Sequence, residues 1–323
     1  MTNSLIKSSD QISEKEIYLH LSVVWKDFST QWFNLQSYWV NNAYRAFNDI
    51  EKYMILVFVV KKTFEFYSKH FKKFTIDQFY NGATVEVENI SIIDISKSLK
   101  ISKETARRKV IELEKSGVLK KNRKKIIIDR NKINFQKPTN AIQYLASFLS
   151  NYSDRLFKDK ISKFKYQKED LVNFFKKDFT FLWNIFLDSQ IQLSLIIKSL
   201  FDDYESFYIY GIIIVNQNLE LQKKLKSKNL KIEDNKDYFD KLFHELNRGV
   251  NAMSISAVSN IPRATVVRKL VSLKEKGLID IDEKKLYRAI KFPTSNQKQN
   301  EIISLISVFI SNIYNQLYFS KVN

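Results

Sequence analysis

Residues 101–119 read ISKETARRKVIELEKSGVL and residues 261–279 read IPRATVVRKLVSLKEKGLI, two stretches 160 positions apart that align without a gap. Six of the nineteen pairs are identical, Ile101/Ile261, Thr105/Thr265, Arg108/Arg268, Lys109/Lys269, Leu113/Leu273 and Gly117/Gly277, where chance gives about one. Apolar residues recur at i, i+4 and i+7 in both, as Ala106, Val110 and Leu113 and as Val266, Leu270 and Leu273. That spacing predicts one buried stripe on a helix, with Arg108 and Arg268 on the opposite face. Ser102 suits the helix N-cap and Pro262 the first helical turn. Gly117 and Gly277 stand where a helix closes through a left-handed residue, a conformation glycine adopts without steric cost.

Working outward, residues 95–100 and 255–260 predict a shorter helix joined to the longer one by a three-residue turn, with Ser96 and Ser256 keeping the crossing point small. Downstream, KKNRKKIIID (120–129) and DIDEKKLYRAI (280–290) set polar tips between β-prone residues, as in a short hairpin. Helix, tight turn, helix, glycine stop and hairpin make a winged helix-turn-helix, and the whole chain reads as mainly α with two such units in tandem. In such a motif the second helix lies in the DNA major groove with its N-terminal residues at the base edges. The candidate DNA contacts are therefore Ser102, Lys103, Thr105, Arg107 and Arg108 in the first unit, and Arg263, Thr265, Arg268 and Lys269 in the second. From the hairpins, Lys121, Arg123, Lys124 and Lys125, and Lys284, Lys285 and Arg288, are placed to grip phosphates or reach a minor groove.

Charge agrees with that assignment. The chain has 323 residues and a formal net charge of +18, which favours a polyanionic partner, nucleic acid or anionic lipid, over a neutral metabolite. Residues 97–130 carry 13 basic and 4 acidic side chains and residues 257–290 carry 8 and 4, so most of the excess sits on the two repeated stretches. There is no cysteine, which excludes disulfides and thiolate chemistry. No cofactor is expected. No glycine-rich phosphate loop, no His and carboxylate at metal spacing and no nucleophile motif occurs, so an enzyme is not expected. The longest apolar runs, 53–60 and 207–215, fall short of the ~18 residues of a membrane span, and no membrane partner is expected. The N-terminus lacks a signal-peptide core, and the expected location is the cytoplasm.

Each repeated unit resembles the winged helix-turn-helix of bacterial transcription regulators, and its layout is most similar to the MarR family. The flanks repeat too: Asn48-Asp49-Ile50-Glu51 matches Asp202-Asp203-Tyr204-Glu205, and Phe148-Leu149-Ser150-Asn151 matches Phe309-Ile310-Ser311-Asn312. The resemblance implies flanking helices that make the dimer, here fused into one chain as a pseudo-dimer. It also implies a small-molecule effector pocket, for which Trp25, Trp32, Trp39, Phe58, Phe64 and Trp183 are the candidate lining. Two positions depart from the family. The turn residue commonly glycine is Lys100 in one unit and Asn260 in the other, and the second wing carries Asp282-Glu283-Lys284.

The expected organisation is a disordered N-terminus (1–12), a first unit (13–157, winged helix about 84–130), a charged junction (158–170) and a second unit (171–323, winged helix about 244–291). The expected function is sequence-specific binding of double-stranded DNA as a transcription regulator, on an imperfect palindrome. The alternatives are a plasmid-type replication initiator on direct repeats and a winged-helix scaffold for protein interaction.

Overall fold

The computed structural model describes residues 11–82, 90–122, 125–129, 132–133, 137–246, 249–293 and 296–322. Five glycines and three prolines in the whole chain leave few helix breakers, and long helices dominate. In order they are α1 (Glu14–Phe47), α2 (Ile50–Lys69), α3 (Ile76–Asn81), α4 (Ile92–Leu99) and α5 (Lys103–Lys115). The hairpin β1 (Leu119–Asn122) and β2 (Lys125–Ile128) follows, then α6 (Thr139–Lys158) and α7 (Lys168–Lys177). The chain continues with α8 (Phe179–Phe201), α9 (Tyr204–Lys228), α10 (Asn235–His244), α11 (Ala252–Ser259) and α12 (Arg263–Glu275). It ends with the hairpin β3 (Ile279–Ile281) and β4 (Tyr287–Ala289) and α13 (Asn296–Val322). Two long helices, a short helix, a helix pair, a hairpin and a long helix thus follow one another from α1 to α6 and again from α8 to α13. α7 lies between the two series.

The chain forms two compact units, each drawn from separated segments: residues 1–18, 51–195 and 304–323 in one, and 19–50 and 196–303 in the other. The first unit is built around rings. Phe64 of α2 meets Phe79 of α3 edge-on at 4.9 Å and Phe179 of α8 at 5.7 Å, and Phe186 of α8 meets Phe309 of α13 at 5.8 Å. Such edge-to-face pairs add ~0.5–1.5 kcal/mol each to the burial of the rings. In the second unit Phe292, just after β4, sits among Phe33, Tyr210, Phe239 and Phe243.

Two segments differ from what their composition suggests. Ile12, at the end of the stretch expected to be disordered, is buried, its amide donating to Asn315 Oδ1 of α13 and its carbonyl accepting from Asn315 Nδ2, each at 3.0 Å. Ser13 and Glu16 form a reciprocal cap there, a Ser-x-x-Glu signal legible in sequence. Residues 1–10 lie outside the described residues. The charged stretch 158–170 belongs to the first unit: Tyr166 is buried, its amide donates to Ser153 Oγ at 2.8 Å, and its carbonyl accepts from Ser150 Oγ at 3.0 Å. The apolar Tyr166 within a Lys-rich run gives that stretch an anchor on α6.

By length and composition α8 and the 297–320 part of α13 are apolar enough to cross a membrane, although 67% and 50% of their most apolar windows are buried inside the protein. Counting unbroken apolar runs misses them, because residues such as Gln190, Gln192 and Ser194 interrupt α8. Core helices of globular proteins share that length and composition.

Candidate nucleic-acid interface

The helix pair α4–α5 is shaped by local hydrogen bonds, and α11–α12 repeats several of them. Ser91 caps α4 by accepting from the Asp94 amide at 3.2 Å, and Asn251, at the matching position, caps α11 by accepting from the Ser254 amide at 2.8 Å. α4 stops at Lys100 (φ 49°) and α11 at Asn260 (φ 58°), both left-handed. Across the turn, Ser96 Oγ donates to the Ile101 carbonyl and Ser256 Oγ to the Ile261 carbonyl, each at 2.7 Å. Both serines therefore close the turn chemically, where sequence suggested only their small size. Ser102 caps α5 by accepting from the Thr105 amide at 3.0 Å, whereas Pro262 precedes α12 with no side-chain cap.

The far ends match as well. Gly117 (φ 76°) and Gly277 (φ 63°) are left-handed, and the amides behind them reach back over the last turn, Val118 to Leu113 at 3.1 Å and Leu278 to Leu273 at 3.0 Å. The nearest atom to a Cβ at Gly117 is 3.8 Å away, so backbone conformation alone selects glycine there.

The stripes Ala106–Val110–Leu113 and Val266–Leu270–Leu273 are buried, as their spacing predicts. Lys103, Arg107 and Arg108 of α5, and Arg263 and Arg268 of α12, are exposed; Thr105 and Thr265 are half-buried. Lys269 departs from its expected place. Its Nζ lies 2.7 Å from Asp203 Oδ2 at the start of α9, with its side chain 19% exposed. The matching Lys109 is buried and lies 3.4 Å from Glu51 near the start of α2, beside a 2.5 Å pair between Lys52 and Glu112. The identical lysines thus fasten each second helix to the N-terminal turn of a flanking helix instead of joining the exposed face. Asp203 also caps α9 by accepting from the Ser206 amide at 2.8 Å. Burial alone pushes its carboxyl up, but the Lys269 ammonium and the Ser206 amide outweigh this and hold it below the usual aspartate range.

In the first hairpin Leu119 pairs with Ile128 and Asn122 with Lys125. Lys121 is exposed, and Lys120 pairs with Asp129 at 2.7 Å. Arg123 and Lys124 lie outside the described residues, as does the side chain of Lys125. In the second hairpin Lys284 and Lys285 are exposed, while Arg288 lies opposite Asp280 with its guanidinium 3.5 Å from that carboxylate. Buried Gln217 of α9 holds this hairpin. Its Oε1 accepts from the Ala289 amide at 2.6 Å, and its Nε2 donates to the carbonyls of Ala289 and Leu242 at 3.1 and 3.0 Å. Sequence reasoning passed over Gln217, since a lone Gln in a long helix carries no local signal. An extra strand pairing, Val250 with Tyr287, explains Gly249: a Cβ there would come within 2.7 Å of the Tyr287 carbonyl.

Residues 86–129 match the DeoR-like helix-turn-helix domain. The matched segment covers α4, α5 and the β1–β2 hairpin, and it supports reading the chain as a helix-turn-helix DNA-binding regulator. The second helix of the DeoR-like segment carries Lys103, Arg107 and Arg108 together on its exposed side. No match was found among curated proteins or among solved structures.

The aromatic residues considered for an effector pocket, Trp25, Trp32, Trp39, Phe58, Phe64 and Trp183, are all buried. A cleft of about 230 Å³ in the first unit is lined by other residues, both polar and apolar, the latter including Ile185, Leu305 and Val308. Lys61 of α2 is held there by Glu65 at 2.6 Å and by Asp188 of α8 at 2.7 Å, with Asn184, Gln192 and Asn312 around them.

Proposed function

We propose that the chain is a sequence-specific transcription regulator that binds duplex DNA through two winged helix-turn-helix motifs carried in one polypeptide. α5 and α12 would be the recognition helices and β1–β2 and β3–β4 the wings, with two long helices before and one after each motif, a layout similar to MarR-type regulators. The observation that carries this reading is that two segments 160 residues apart share a side-chain cap at the start of the first helix, the same left-handed stops and the same Ser-to-carbonyl turn bond. Each presents an exposed arginine, Arg108 or Arg268, on the second helix. Such identity of minor detail is expected of an internal duplication. The contact set is then Ser102, Lys103, Thr105, Arg107, Arg108, Lys121, Arg263, Thr265, Arg268, Lys284 and Lys285. A single-chain pseudo-dimer of this kind fits an imperfect palindrome with half-sites about one helical turn apart.

Selection of sites from random duplex DNA at about 150 mM salt, which suppresses phosphate-only binding, is the test. A two-part inverted site with unequal halves is the expected outcome. Direct repeats would make the chain an origin-binding initiator instead, and no enrichment would leave the motifs as protein-interaction modules.

A further inference from the structure

The two second helices match in fold but not in the chemistry of their outer faces. Along α5 the outward positions 104, 107 and 111 carry Glu, Arg and Ile; along α12 the matching positions 264, 267 and 271 carry Ala, Val and Val. Those three residues of α12 sit at i, i+3 and i+7, one stripe on the helix surface, and it faces away from the buried stripe. Ala264 is exposed, and Val267 and Val271 are 39% and 50% exposed. A β-branched residue on an exposed helix face is disfavoured relative to Arg both by helix propensity and by its contact with water. The stripe is bordered by Arg263 and Arg268, also exposed. An apolar strip between two cations is complementary to one feature of duplex DNA, the thymine C5-methyl groups in the major groove between negatively charged phosphate walls. Guanine offers the opposite chemistry, the O6 and N7 acceptors that an arginine fork grips, and Arg107 and Arg108 supply such forks on α5.

Resting on the DNA-binding reading above, we propose that α12 reads thymine methyl groups through Val267, helped by Ala264 and Val271, while α5 reads guanine through Arg107, which stands at the place of Val267. The two halves of the site then differ in kind, one thymine-rich and one guanine-bearing. Val267 and Arg107 are the specificity-determining pair.

The experiment uses the full chain and the duplex obtained by selection. Each thymine is replaced in turn by deoxyuridine, which lacks only the methyl group, and each guanine by 7-deazaguanine, which lacks only the N7 acceptor. Loss of a contacted methyl should weaken binding about fourfold. This loss is expected in one half-site only and should vanish in Val267→Ala, an exposed position where the substitution leaves the fold intact. Deazaguanine sensitivity that Arg107→Ala abolishes is expected in the other half. Val267→Arg should exchange deoxyuridine sensitivity for a guanine preference. Specific binding with deoxyuridine silent at every position, or sensitivity that survives Val267→Ala, would overturn this inference and leave the DNA-binding reading standing. Failure to select any duplex would overturn both. A selected site confined to one half, together with self-association that Val267→Arg abolishes, would overturn it in favour of a protein-covered α12.

Discussion

At the scale of single residues, two positions show backbone conformation and side-chain chemistry pulling apart. Lys100 occupies a left-handed conformation that Asn260 tolerates better and glycine better still. Lys100→Gly should stabilise the protein by about 0.5–1 kcal/mol, the ~1–2 kcal/mol relieved in the folded state less the extra freedom given to the unfolded chain. Gly117→Ala should cost about 1 kcal/mol; denaturant titration checks both. Asp203 offers a pH-resolved test. Its carboxyl is held below the usual value of 3.8, so its stabilising contribution is present above that value and is lost as pH falls through the depressed one. Asp203→Asn keeps a good N-cap but loses the attraction to Lys269, at a cost of about 1 kcal/mol near neutrality for a partly buried pair. The gap between wild type and variant should begin to narrow as pH falls below about 4, where the unfolded chain takes up the proton, and should close once pH has passed the depressed value and the folded carboxyl is protonated too. A gap independent of pH would mean the pair contributes nothing.

At the scale of elements, the helix pairs were largely legible in the sequence and their attachments were not. The buried stripes, glycine stops and three-residue turns depend on residues within a few positions of one another, and the structure shows each where spacing put it. The hairpins likewise fall at their β-prone runs. Gln217 is different in kind, because its partners lie 72 and 25 residues away along the chain. Gln217→Leu removes three hydrogen bonds and leaves the Ala289 amide buried without its partner, and should cost about 2–4 kcal/mol. Hydrogen exchange should show the loss concentrated at β4. Ser256→Ala and Ser96→Ala, each losing one turn bond, should cost about 1 kcal/mol.

At the scale of the whole molecule, the first compact unit needs residues 158–195 and 304–323 to complete it. A fragment of residues 1–157 would leave Phe64 and Phe79 without Phe179, and Tyr152 and Phe148 in an opened core. It is expected to lack cooperative unfolding and near-ultraviolet dichroism, although its helix-turn-helix is contiguous in sequence; a sharp thermal transition would refute this. Binding to DNA should be strongly salt dependent. If six to ten phosphates are neutralised, log affinity falls against log salt with a slope of roughly −5 to −9. A slope near −2 would mean that most of the +18 charge lies away from the DNA.

Local interactions explain what the sequence determined unaided: two helix pairs, their stops, the hairpins after them and the exposure of Arg108 and Arg268. Helix periodicity and left-handed stops are properties of a few consecutive residues, and a repeat writes them twice. Tertiary structure decided what depends on partners distant in the chain. It turned Lys269 to Asp203, 66 residues away, made Tyr166 an anchor in a charged run, buried Ile12 against Asn315 and drew each compact unit from separated segments. A lysine has the same spacing whether it meets a phosphate or a carboxylate, and only the ion pairs that tie α5 to α2 and α12 to α9 settled which face it takes.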